Sequence, residues 1–179
     1  MILCRTESDA KRAYAWLQAT AQALHLRVHP DKSRVLDLGP GADGFDFLGF
    51  HHRMVRSRKY GRRYCHRWPS QRAMTSVRTK IKKITAPRDR LKWPMEALVK
   101  ELNPVLRGWG NYFRWGNSTR KFTQVDSFVH ERIALYNSKK RGKSGRGWGT
   151  VHTYAWFKTI GLHCLSETVR YGPAATAAT

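Results

Sequence analysis

LNPVLRGWGNYFRWGNS, from Leu102 to Ser118, sets Trp109, Tyr112, Phe113 and Trp115 beside Arg107 and Arg114 within about four turns of helix. Aromatic faces next to guanidinium groups suit RNA, where bases stack and phosphates attract cations. The same spacing also suits a buried aromatic face with solvated arginines, so both readings stay open for each side chain. Asn103-Pro104 reads as a cap followed by proline at the first helical position, so one helix is expected to end near Leu102 and another to begin there. Gly116-Asn117 closes it.

Outward from this stretch the pattern stays helical. Upstream, Met74, Val77, Ile81 and Ile84 share one face, with Arg72, Lys80, Lys82 and Lys83 off it, until Ala86-Pro87 interrupts and Pro94 opens the next helix. Downstream, Ser118 starts a helix whose inner face is Phe122, Val125, Val129, Ile133 and Tyr136. SKKRGKSGRGWG, Ser138 to Gly149, is glycine-rich and basic, which predicts mobility unless it is bound. Val151 to Leu165 reads as helix, and the tail PAATAAT lacks the apolar bulk to fold.

The front of the chain reads differently. Met1 to Arg5 is expected to end a strand. Thr6 or Ser8 then caps a helix with Ala10, Ala13, Tyr14, Leu17, Ala21 and Leu24 on one face, stopping near His25. His29 to Ser33 is a turn, and Val35, Leu36 and Leu38 suggest a strand. Phe45 to His52 reads as one strand buried on both faces. The basic turn Arg58 to Arg63 leads into a return strand through Tyr64 to Arg67. The fold class expected is α+β, with a few antiparallel strands and one helix followed by an all-helical part.

Composition narrows the partner. Of 34 Lys/Arg and 12 Asp/Glu, the first fifty residues hold six of each, so the whole net charge of +22 lies in residues 51–179. Such an excess opposes compaction unless a polyanion offsets it, which points to nucleic acid ahead of an anionic membrane surface. No run of about 18 apolar residues suggests a membrane span. Three scattered cysteines, Cys4, Cys65 and Cys164, fit a reducing, cytoplasmic setting better than a disulfide framework. Without a Cys-x-x-Cys pair, Cys65-His66 and His163-Cys164 do not make a zinc site. Gly39 to Gly44 is glycine-rich, but no Lys-Ser/Thr or helix start follows to make a phosphate cradle.

Four blocks, taken in order, resemble a known family. ILCRTESDAKRA (Ile2–Ala13), LRVHPDKSRVLDLG (Leu26–Gly39) and FDFLGF (Phe45–Phe50) are similar to the late palm motifs of bacterial group II intron reverse transcriptases. LNPVLRGWGNYFR (Leu102–Arg114) resembles the maturase-specific thumb, or X, domain of the same family, and Asp126 and Arg132 in the next helix also fit it.

The resemblance implies a partial palm over 1–68, a helical thumb over 69–165 and a disordered tail over 166–179. It implies an RNA-directed DNA polymerase as the parent, but the metal-binding Tyr-Ala-Asp-Asp turn of that family is not in this sequence. Nucleotidyl transfer of this kind needs carboxylates around two metals. Asp9, Asp31, Asp37, Asp43 and Asp46 form no such pair on one strand or turn, so polymerisation by this polypeptide alone is not expected. Mg2+ is expected only with a full-length polymerase and with the intron ribozyme. Lys32 matches a family lysine near the incoming nucleotide, where an ammonium can stabilise phosphate charge, though a solvated turn lysine is the plainer reading.

The implied partner is group II intron RNA, with an RNA/DNA primer-template as a further possibility. A missing N-terminal half, or self-association through an exposed sheet edge, is also expected. The residues expected on nucleic acid are Arg53, Arg56, Arg58, Lys59, Arg62 and Arg63 of the hairpin, Lys80, Lys82 and Lys83 of the first thumb helix, Arg107, Trp109, Tyr112 and Arg114 of the signature, and Lys139, Lys140 and Arg141 of the basic tract. His51 and His52 would lie on the same side as the hairpin cations. An unrelated basic RNA-binding or ribosome-associated protein is the alternative that composition allows.

Overall fold

A computed structural model describes residues 2–31, 33–39, 41–147 and 150–169. These form two compact units, 1–43 and 44–179. The first holds one helix, α1 (Glu7–Ala23). The Thr6 hydroxyl oxygen accepts from the Asp9 N–H at 3.1 Å, and Glu7 and Asp9 sit favourably at the positive helix end. The Thr6 hydroxyl and the Arg12 guanidinium both donate to the Asp9 carboxylate and hold its pKa below the usual value. No residue of α1 is buried, and Leu17 and Leu24 of its apolar face are exposed.

The strands expected at Met1–Arg5 and Val35–Leu38 do not form among the described residues. A strand is held by a hydrogen-bonded neighbour, and among the described residues the sheet consists of β1 (Phe45–Phe47), β2 (Phe50–Arg56) and β3 (Arg63–Pro69). The edge expected to drive self-association is therefore not a strand at 2–5.

The second unit begins with this antiparallel meander. The single strand expected at Phe45–His52 is instead a hairpin that folds back at Leu48-Gly49, pairing Phe47 with Phe50 and Phe45 with His52. Both turn residues have positive φ, 47° at Leu48 and 78° at Gly49, the pattern of a type I′ turn. Gly49 suits that turn and Leu48 does not, which is why the run reads as a strand in sequence. The Leu48 strain is held by tertiary contacts. Tyr112 donates its hydroxyl to the Leu48 carbonyl at 2.7 Å, and a Cβ on Gly49 would stand 3.3 Å from the Phe113 ring. Leu48→Asn is therefore expected to raise stability by about 1 kcal/mol, since Leu48 is 68% exposed and loses little packing. Tyr112→Phe should lower it by about 1 kcal/mol. Urea midpoints check both; a lower midpoint for Leu48→Asn would mean the leucine packs better than its exposure indicates.

Three helices build the core. α2 (Gln71–Thr85) is capped by Ser70, whose hydroxyl accepts from Ala73 N–H while its own N–H reaches the Gly49 carbonyl at 2.8 Å, tying helix to hairpin. Met74, Val77, Ile81 and Ile84 of α2 are buried, as their spacing predicts. α4 (Thr119–Lys140) likewise buries Phe122, Val125, Val129, Ile133 and Tyr136. Between them α3 (Met95–Phe113) runs unbroken, with Pro104 inside it. The break expected at Asn103-Pro104 does not occur. An interior proline costs about 3 kcal/mol, while Leu98, Leu102 and Leu106, all fully buried across that turn, return about 1.5–3 kcal/mol each. Asn103 caps nothing. Its amide donates to the Gly161 carbonyl and its carbonyl oxygen accepts from His163 N–H, both at 2.9 Å.

The helix expected over Val151–Leu165 is only one short segment, α5 (Tyr154–Thr159). Gly161, at φ 73°, turns the chain out of it, and residues 162–164 form no regular element before the 3-10 turn, with Leu162 and Leu165 entering the core. Residues 166–169, expected in an unstructured tail, include a 3-10 turn at Ser166–Thr168. The remainder of that tail lies outside the described residues.

Candidate nucleic-acid interface

The signature stretch sorts into inner and outer rings. Phe113 is buried. Trp109 is half-buried against the core, 4.7 Å from the Phe113 ring and 5.3 Å from Phe122, with an indole N–H that meets no acceptor among the described residues. Trp109 thus serves packing first. Tyr112 and Trp115 are the open rings, 52% and 58% exposed. Arg114 lies 4.7 Å over the Trp115 ring, and Arg107 is exposed on the outer face of α3. A groove of about 530 Å³ runs between α2, α3 and the Leu48-Gly49 turn, with Ser76, Lys80, Gly108, Trp109 and Tyr112 along it.

The corner after α3 fastens helices to sheet. Asn117 N–H donates to the Arg67 carbonyl at 2.7 Å, and the Arg67 guanidinium donates to the Trp115 carbonyl at 3.1 Å. A Cβ on Gly116 would stand 2.9 Å from the Arg67 carbonyl oxygen and 3.0 Å from the Phe50 ring, so only glycine lets this corner approach β3. Ser118 is fully buried and donates its hydroxyl to the Phe113 carbonyl at 2.7 Å.

The hairpin of β2 and β3 carries the predicted cations on an open surface. Arg53, Arg56, Arg58, Lys59, Arg62 and Arg63 are all exposed, and Arg56 spans its tip by donating to the Gly61 carbonyl at 2.9 Å. Lys80, Lys82 and Lys83 are exposed on α2, the last two favourably placed in its final turn. Lys139, Lys140 and Arg141 are exposed at the end of α4, with the Lys140 ammonium also donating to the Trp93 carbonyl. Ion pairs of this unit that involve Lys or Arg include Arg90–Glu101, Arg146–Glu131 and Lys158–Glu167, which use none of these cations. Lys32 lies outside the described residues.

Histidine environments differ. His52 is buried, stacked on Phe45 at 5.1 Å, and burial, reinforced by the Arg67 and His51 charges, pushes its pKa below the ordinary value. His52 therefore belongs to the packed side of the hairpin and not to an RNA face. Burial also lowers His66 and His130. Among the described residues no group of three or more His, Cys, Asp or Glu is placed to hold a metal ion, and no helix is long and apolar enough to cross a membrane.

Two residues hold the domain together in ways their sequence positions do not reveal. The Asp126 carboxylate, 6% exposed, accepts from the N–H groups of Leu165 and Ser166 at 2.9 and 2.8 Å and from the Cys164 thiol at 3.4 Å. Arg132 donates to the Thr85 hydroxyl at 3.0 Å, joining α4 to α2.

No curated protein matches the chain. A family model described as "Group II intron, maturase-specific domain" matches residues 74–156, from the first buried residue of α2 to α5, with the Leu102–Ser118 signature at its centre. That match takes in the aromatic corner and most of the three-helix core: residues 74–156 form a group II intron maturase-specific domain.

Proposed function

We propose that this protein binds group II intron RNA through the β2–β3 hairpin and the outer faces of α2 and α3, and assists splicing by stabilising the folded intron. The observation that supports this most is a maturase-specific domain whose first helix and adjoining hairpin expose a run of lysines and arginines, nine of them within Arg53 to Arg63 and Lys80 to Lys83. In this reading the cations neutralise phosphates, and Tyr112 and Trp115 offer rings to bases. A protein shifts an RNA folding equilibrium only by binding the folded form more tightly than the unfolded one. The RNA and its own metal ions carry out transesterification. The parent of this chain would be a reverse transcriptase with the primer-template as a second ligand, its carboxylates and Mg2+ supplied from outside the residues present here.

Ultraviolet crosslinking to the intron RNA, with peptides mapped, tests the reading. Crosslinks are expected in peptides covering 53–83 and 107–115. Crosslinks confined to α1 would sink it, and equal yields with an unrelated RNA would favour a general basic RNA-binding protein.

A further inference from the structure

The open face of the β2–β3 hairpin carries a row of aromatic rings that the cation pattern does not explain. The register pairs His51 with Trp68, Arg53 with His66 and Val55 with Tyr64, so these six side chains share one face. Phe50 and His52 lie on the opposite face, with Phe50 packed on Phe113 at 4.8 Å and His52 buried. Four rings run in sequence across this face, His51, His66 and Trp68 half-buried and Tyr64 exposed. His51 lies 4.8 Å from Trp68, Trp68 lies 5.0 Å from His66, and His66 lies 5.7 Å from Tyr64. His51 is fixed at one end by the Asp46 carboxylate at 2.7 Å. Tyr64, at the other end, is 44% exposed, and Arg53 is exposed beside His66.

We infer that this ladder, Tyr64–His66–Trp68–His51 with Arg53, is a stacking platform for the unpaired bases of single-stranded nucleic acid. The chemistry is complementary on both counts. Every base has a π-face that an aromatic side chain can stack on, and the arginines along the same hairpin track the phosphates. A duplex hides its base faces and offers phosphates alone, so the platform discriminates strandedness and not sequence. Burial lowers the His66 pKa, which favours the uncharged flat ring and leaves the cationic work to arginine. The inference rests on the RNA-binding reading above and assigns part of that surface to unpaired segments.

The test is fluorescence anisotropy with the full chain, using a labelled single-stranded RNA 12-mer and the same 12-mer as a duplex. Tyr64→Leu and His66→Leu keep apolar bulk and remove a ring. Each is expected to weaken single-strand binding about tenfold, the size of a lost base–aromatic stack, with duplex affinity falling less than twofold. Tyr64→Phe, which restores the ring, is expected to restore the affinity. Equal losses on both RNAs, or no loss in either leucine variant, would overturn the platform while leaving the cationic interface standing. A parent protein that binds neither RNA would overturn both.

Discussion

Asp126→Ala is expected to lower the unfolding free energy by about 3–5 kcal/mol, the range for losing two hydrogen bonds to a buried charge. Among the described residues the carboxylate is the acceptor for the N–H groups of Leu165 and Ser166, and alanine leaves the first of these buried without that partner. The loss spreads because Leu165 is itself core: it is fully buried and reaches α3, where a Cβ on Gly110 would stand 2.6 Å from its side chain. Releasing residues 164–166 therefore uncovers the α3 surface that Leu165 fills. Thermal melting followed by circular dichroism should show a drop of roughly 10 °C or more. Asp126→Asn, which keeps one acceptor, should fall between. A melting temperature unchanged within a degree in Asp126→Ala would show that the 162–169 segment contributes nothing to the fold.

Raising salt from 50 to 200 mM is expected to weaken RNA binding by orders of magnitude. If six phosphates are neutralised, the logarithmic slope is about −0.7 per phosphate for unpaired strands and about −0.9 at duplex charge density. The fourfold rise in salt then costs roughly 300-fold to roughly 2,000-fold in affinity. Six is the number of exposed lysines and arginines from Arg53 to Arg63, and Arg67 and the three lysines of α2 would steepen the slope if they also engage. The size of the effect follows from the charge imbalance, since residues 51–179 hold all of the +22 excess and have few carboxylates for internal pairing. Filter binding across a salt series measures the slope. A value near zero would mean that the exposed cations do not meet phosphates.

Where local periodicity was enough, sequence and structure agree. The inner faces of α2 and α4 are the residues that helical spacing selects, because burial of a stripe at i, i+3 and i+4 is the main force on such a helix and is written in the sequence directly. The Thr6 cap and the return strand through Tyr64 to Arg67 are equally local. The cationic character of the hairpin and α2, and the likeness of Leu102–Ser118 to a maturase domain, were also legible, since both are properties of residue type and order.

What could not be read was every feature in which a distant group outweighs a local preference. Proline at 104 signals a break, yet the helix continues because three leucines bury across it. Leucine at 48 opposes a tight turn, yet the turn forms because Tyr112, 64 residues away, bonds its carbonyl. Asn103 looks like a cap and Asp126 carries only a family likeness, and both become fasteners only when residues 161–166 arrive beside them. The ring ladder escaped for the same reason: His51 and Trp68 are neighbours only through strand register. Charge, helix faces and family likeness lie along the chain; strain, buried partners and the face shared by two strands exist only once the chain has folded, because their energies come from contacts between residues far apart in sequence.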